Sequence, residues 1–222
     1  MHMVIDIKHF CVLPHGDARK HAAQETTRGT YRKKGQGLNK GHTKPITKTK
    51  FNPGAAGVKV LAGVGNGKVL LWEYLDGPWG GDAAAKAYNG PVKKALQVAY
   101  PGRKSFTVLE DNDPSGFKSR LGIAAKADIG IKTFEIPRRS PCLNVLDYHV
   151  WAEVSKRMRE QEKKFPASKR ESRVAFLNRL RRTALRLTTE QVSNAVGDMK
   201  RRCARLLAAG GGHIEEGGKG SS

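Results

Sequence analysis

The order of the residues predicts an α/β protein with helices packed on a mixed sheet. Two observations carry that expectation. Apolar runs rich in β-branched and aromatic residues recur over 3–13, 57–75, 105–111 and 131–137. Helix-forming stretches separate the later runs, over 80–102 and 115–127, and helical composition dominates from 144 onward. Strands divided by crossover helices favour a sheet covered by helices over a sandwich or a bundle.

The first run, MVIDIKHFCVL, is largely apolar on both alternating faces, as in a strand buried inside a sheet. Asp6 stands in its middle, where a lone carboxylate is costly unless paired or bound to a cation. Residues 14–56 combine Gly, Lys, Arg, Thr and Pro with almost no apolar periodicity, which reads as a long basic loop or insertion. Its Lys33 and Lys34 are candidates for phosphate contact, the alternative being a plain solvated segment. GVKVLAGVGNGKVLLWEYL reads as two strands joined at Asn66-Gly67, since both turn positions tolerate positive φ. Its glycines fit neither the dinucleotide nor the P-loop spacing, and a strand follows where a helix should start.

Residues 80–102 are helical in composition, with a break expected at Asn89-Gly90 and Pro91 opening the second half. SFTVLED is a strand running into the acids Glu110, Asp111 and Asp113. Over 144–164 a helical stripe is expected from Val145, Tyr148, Trp151, Ala152 and Val154 or Ser155. Ser168 with Glu171, and Thr188 with Gln191, have capping-box spacing. Gly210 to Gly212 should close the last helix ahead of a disordered tail.

The 222 residues suffice for one sizeable domain. Lys and Arg number 41 against 20 Asp and Glu, giving a net charge of +21. That balance points to a polyanionic partner, nucleic acid being the commonest. Residues 57–155 carry 13 basic and 10 acidic side chains, so half of all the acids lie between two strongly basic flanks. Cys11, Cys142 and Cys203 lack zinc spacing and do not suggest a disulfide framework, which favours a reducing compartment. No apolar run approaches the roughly 20 residues of a membrane span, and the first residues do not read as an export signal.

Asp6, Asp111 and Asp147 lie at element edges that could converge on one side of a sheet. Three carboxylates in one cleft repel unless divalent ions neutralise them, and hard cations such as Mg²⁺ favour oxygen ligands. Spacing alone leaves an acidic turn as the alternative. His9 and His149 have no metal-site spacing partners and read as structural, while Trp72, Trp79 and Trp151 read as core. The Arg-rich stretch 169–187 reads either as a DNA contact or as a solvated helix of a small bundle.

LEDNDPSGFKS resembles the second-acid motif of mariner-like transposases (the Tc/mariner superfamily), Asp-Asn-x-Pro at the end of a central strand, here Asp111, Asn112, Asp113 and Pro114. PRRSPCLNVLDYHVW is similar to the family pattern P-x-x-S-P-D-L-N-x-x-D/E, through Pro137, Ser140, Pro141, Leu143, Asn144 and Asp147. VIDIKHF resembles the first-acid strand. Differences are Cys142 for the usual Asp, Ile7 for the usual acid, and Ser115, Gly116 and Phe117 where a His is common. The resemblance covers about residues 3–160, and the family's N-terminal helix-turn-helix region has no counterpart in it.

The resemblance implies a ribonuclease-H-like (retroviral-integrase-like) fold in residues 1–165, interrupted by the basic insertion, then a basic helical extension over 166–210 and a disordered tail over 211–222. It implies a catalytic, metal-binding triad of Asp6, Asp111 and Asp147 holding Mg²⁺ or Mn²⁺ as two ions. The implied activity is strand cleavage by water followed by attack of the freed 3′-hydroxyl on target DNA. Asn112, Pro114, Ser140, Pro141 and Asn144 would support the motifs. Lys33, Lys34, Lys118, Arg120, Arg138 and Arg139 would contact DNA. A nuclear protein with DNA as partner, room for a homodimer and no membrane association is expected. The alternative is a transposase-derived nucleic-acid-binding protein that has lost its chemistry.

Overall fold

The computed structural model of the protein describes residues 1–10, 57–137, 140–166 and 171–211. The basic segment 14–56 with Lys33 and Lys34, the pair Arg138 and Arg139, Ser168, Gly212 and the tail lie outside the described residues.

Five strands form one sheet in the order β3-β2-β1-β4-β5. They are β1 (Met3–Phe10), β2 (Val58–Gly65), β3 (Lys68–Leu75), β4 (Phe106–Leu109) and β5 (Ile131–Phe134). β1 runs antiparallel to β2, as β2 does to β3, whereas β1, β4 and β5 are parallel. β1 is therefore central, and Met3, Val4 and Ile5 are each at most 1% exposed. The β2–β3 turn has Asn66 at φ 48° and Gly67 at φ 67°, the left-handed pair of a type I′ hairpin.

Parallel neighbours need crossovers. The first is helical: α1 (Gly81–Ala87), a π turn (Tyr88–Val92) and α2 (Lys93–Ala99). The break expected at Asn89-Gly90 does not occur. Pro91 cannot donate to the helical ladder, and the chain meets that loss by widening to a π turn rather than stopping. The second crossover is α3 (Arg120–Asp128), capped by Ser119, whose hydroxyl accepts from Gly122 N at 3.0 Å.

Strand alternation sorts the core onto two faces. Met3, Ile5, Leu61, Phe106 and Val108 pack under the first crossover and α3 with Tyr88, Val92, Leu96 and Phe117. Val4, Phe10, Val60, Ala62, Trp72 and Leu109 pack under α4 (Trp151–Lys163), α5 (Arg173–Leu185) and α6 (Thr189–Ala208).

Ahead of α4 come a 3₁₀ turn (Pro141–Leu143) and a π turn (Leu146–Val150). Of the expected stripe, Val145, Trp151 and Val154 are buried and Tyr148 packs on the core while Ala152 is exposed; the π turn also brings Leu146, Val150 and Met158 inward. α5 begins at Ser172, whose side chain accepts from Ala175 N. Glu171 serves elsewhere, in a bidentate pair with Arg179 at 2.8 and 2.7 Å. Arg179 is 6% exposed, also reaches Glu162 at 2.8 Å, and ties α5 to α4. The Thr188–Gln191 capping box forms as expected, and α6 ends in Gly210 and Gly211 with positive φ.

Candidate active site

Val4 and Phe10 of β1 face α4, so alternation turns Asp6 and Lys8 the same way. Leu109 of β4 also faces α4, which sends Asp111 to that side and Glu110 to the other. β4 pairs with β1 through Val4↔Leu109. That ladder ends there, with Asp6 and Asp111 each two residues beyond it. Asp147 approaches from the first turn of the helix above them. Its N–H donates to Asn144 O at 3.0 Å, and buried Asn144 accepts from Leu146 N through Oδ1 at 3.0 Å. Ser140 and Pro141 build the preceding 3₁₀ turn, their carbonyls accepting from Leu143 and Asn144.

Trp151, one helical turn after Asp147, donates its Nε1–H to Asp6 Oδ2 at 2.8 Å. Its ring packs against Trp72 and Phe10, with centroids 5.7 and 6.0 Å away. Burial, then the Asp147 charge and more weakly the Asp111 charge push Asp6 up to about 7, against the pull of the Trp151 N–H. Burial raises Asp147 as well, with the Lys8 charge opposing that and the Asp111 charge adding to it. The Asp147 and Asp111 charges thus both bear on Asp6, and the Asp111 charge bears on Asp147.

Carboxylate oxygens are the donor type that suits a hard divalent cation. Among the described residues, however, no group of three or more His, Cys, Asp or Glu is drawn together closely enough to hold a metal ion.

Asp111 is exposed, and its Oδ1 accepts from Asn112 N at 2.7 Å. Asn112 Nδ2 donates to Ile136 O at 2.7 Å, stitching the segment to the chain beyond β5. Asp113 closes the turn, accepting from Gly116 N and Trp79 Nε1 at 2.9 Å each and from Ser115 N at 3.1 Å. Burial alone would raise Asp113, but these donors hold it below the usual carboxylate range. Gly116 is required here because a Cβ would run into the Trp79 indole. Pro114 is exposed within this turn.

Of the predicted DNA contacts, Lys118 is partly exposed and lies 3.4 Å from Glu135, and Arg120 is exposed at the start of α3. Trp72 and Trp151 are core residues as expected. Sequence reasoning missed two things. One is the Trp151–Asp6 bond, which only the sheet-to-helix packing creates. The other is a buried network on the opposite face, where Lys126 and Tyr88 both donate to Glu110. Its only sequence signal is a lone lysine on the small-residue face of Gly122 and Ala125.

No family model matches the chain, and no curated protein matches it. Solved structures do. The catalytic domain of Mos1 mariner transposase superposes with a TM-score of 0.65 at 15% identity, over 96% of this chain and 83% of that one. The chain has the fold of a mariner transposase catalytic domain. A pre-cleavage Mos1 transpososome gives a TM-score of 0.68 at 15% identity, and the Mos1 paired-end complex with Mn gives 0.66 at 19%. This chain spans 56% of the length of the protein in each of those two assemblies. The strand order matches the ribonuclease-H-like arrangement expected from the motifs. No helix among the described residues is long and apolar enough to cross a membrane.

Proposed function

We propose that this chain is the catalytic domain of a mariner-like DNA transposase, which hydrolyses DNA strands and joins the freed 3′-hydroxyl to target DNA. What supports this reading is the Mos1 catalytic-domain fold together with the alternation that turns Asp6 and Asp111 to the α4 face, where the Asp147 charge bears on Asp6. In this reading the three carboxylates hold two Mg²⁺ or Mn²⁺ ions, which supply activation of the attacking oxygen and stabilisation of the leaving one. Mos1 transposase has itself been solved with Mn and with Mg.

The chain's own residues have separable tasks. Trp151 fixes one oxygen of Asp6 through its indole N–H. Lys8 offsets part of the charge on Asp147. Asn112, Asp113 and Pro114 shape the turn behind Asp111, and Ser140, Pro141 and Asn144 set the angle at which Asp147 enters. Lys33, Lys34, Lys118, Arg120, Arg138 and Arg139 bind DNA phosphates. The catalytic unit spans 1–165, with 166–210 as a basic extension, acting on DNA in the nucleus as a homodimer.

Nicking of plasmid DNA with Mg²⁺ or Mn²⁺ tests the proposal. The natural chain should nick and the Asp111→Ala chain should not. The second reading, a DNA-binding derivative without chemistry, is favoured by the lack of a tight metal-ligand group among the described residues. DNA binding without nicking dependent on Asp111 would establish it instead.

A further inference from the structure

β4 ends its pairing with β5 at Leu109↔Phe134, so no sheet hydrogen bond fixes the residue that carries the second acid. What lies directly behind it is unusual. Glu110 is 1% exposed and Lys126 is 4% exposed, an ion pair inside the apolar layer between sheet and crossover helices. Every donor of the ammonium has an acceptor: Glu110 Oε1, Phe117 O at 2.9 Å and Thr133 Oγ1 at 3.3 Å. Glu110 also accepts from Tyr88 OH and from Thr133 Oγ1 at 3.3 Å. The network joins the first crossover, the end of β4, the turn after Asp111, α3 and β5.

Buried ion pairs are weak sources of net stability, because well-packed apolar groups of similar volume serve as well or better. A closed network that clamps both ends of one short segment has another use. We propose that the Glu110–Lys126 pair is a positioning device for Asp111. Glu110 anchors the residue before it, and the Lys126 bond to Phe117 O anchors the far end of the same turn. This inference rests on the transposase reading only in its catalytic consequence. The clamp itself is a claim about the order of residues 110–117.

The decisive variant is the double replacement Glu110→Leu/Lys126→Met, which removes the network without stranding a buried charge. Thermal unfolding should show it folded, with a midpoint close to the parent's. Amide hydrogen exchange of the 109–118 peptide should rise at least tenfold while β1 and β2 peptides stay protected. Mn²⁺ titration, followed by the paramagnetic resonance signal of the free ion, should show at least a tenfold loss of affinity. Adding Asp111→Ala should weaken it little further. Parental exchange and parental Mn²⁺ affinity in the folded double variant would overturn the proposal. Loosened exchange together with a parent that binds no Mn²⁺ would uphold the clamp and sink the transposase reading.

Discussion

The Nε1–H of Trp151 donates to Oδ2 of Asp6 at 2.8 Å, joining residues 145 positions apart. The bond links the central strand to the helix that brings Asp147, so the packing that forms the core also sets the spacing of two acids. Trp151 can do this because its ring is wedged against Phe10 and Trp72, leaving the indole N–H a single direction.

Trp151→Phe keeps most of the ring volume and deletes the donor. Because the bond lowers the Asp6 pKa, its loss should raise the Asp6 titration midpoint above about 7. A ¹³C carboxyl titration reads this directly. The chain should also lose about 1–3 kcal/mol of stability at neutral pH, the cost of leaving a buried acceptor without its partner. An unmoved midpoint would show that the indole packs against Asp6 without bonding it.

Asp6 should make the metal-free protein less stable as pH rises. Its pKa is about 7 folded against 3.8 unfolded, so between these values the folded state holds a proton that the unfolded state has released. Stability from this group is complete below about pH 4, falls across that window and is flat above it. Asp6→Asn should therefore raise the melting temperature at pH 8 by the equivalent of about 1–3 kcal/mol while abolishing Mn²⁺ binding and nicking. Calorimetry at pH 5 and pH 8 checks the sign: the gain should be small at the lower pH. A variant that is destabilised at pH 8 would contradict the burial and charge repulsion assigned to Asp6.

Much of this was legible from residue order, and for identifiable reasons. Period-2 alternation fixes Asp6 and Asp111 on one face once Val4 and Leu109 are known to be core, and Asn66-Gly67 announces its turn. Glu110 illustrates what local pattern cannot show. Alternation turns it away from Asp111, but that its partner is Lys126, across a helix and in the core, depends on tertiary packing. The helix around Pro91 continues where its breaker residues predict a stop, because a π turn accommodates the proline's missing donor. A second π turn, just ahead of Trp151, adds a residue that a 3.6-residue period does not anticipate, and Ala152 faces solvent.

Arg179 should be the most sensitive residue of the C-terminal helices. It is buried, paired with Glu171 and Glu162, and lies over the rings of Phe165 and Phe176 at 5.3 and 5.4 Å. Arg179→Ala leaves two carboxylates without their shared cation and should cost about 3–5 kcal/mol. Arg179→Lys should recover little of this, since an ammonium cannot make the bidentate bond to Glu171 while reaching Glu162. Urea unfolding of the three chains decides it; full recovery by lysine would mean that only net charge matters there.

Asp113 and Gly116 form the turn that follows Asp111, so damage to either should reach the acid without touching it. Asp113→Ala removes the acceptor for Ser115 N, Gly116 N and Trp79 Nε1, and should cost about 1–3 kcal/mol. Gly116→Ala drives a methyl group into the Trp79 indole and must displace either the ring or the turn. Both variants should blue- or red-shift the Trp79 fluorescence relative to a Trp79→Phe control and slow nicking at saturating Mn²⁺. Asp113→Asn, which keeps one acceptor oxygen, should retain most of the activity. If Gly116→Ala left both fluorescence and nicking at parental levels, the turn would not be what aims Asp111.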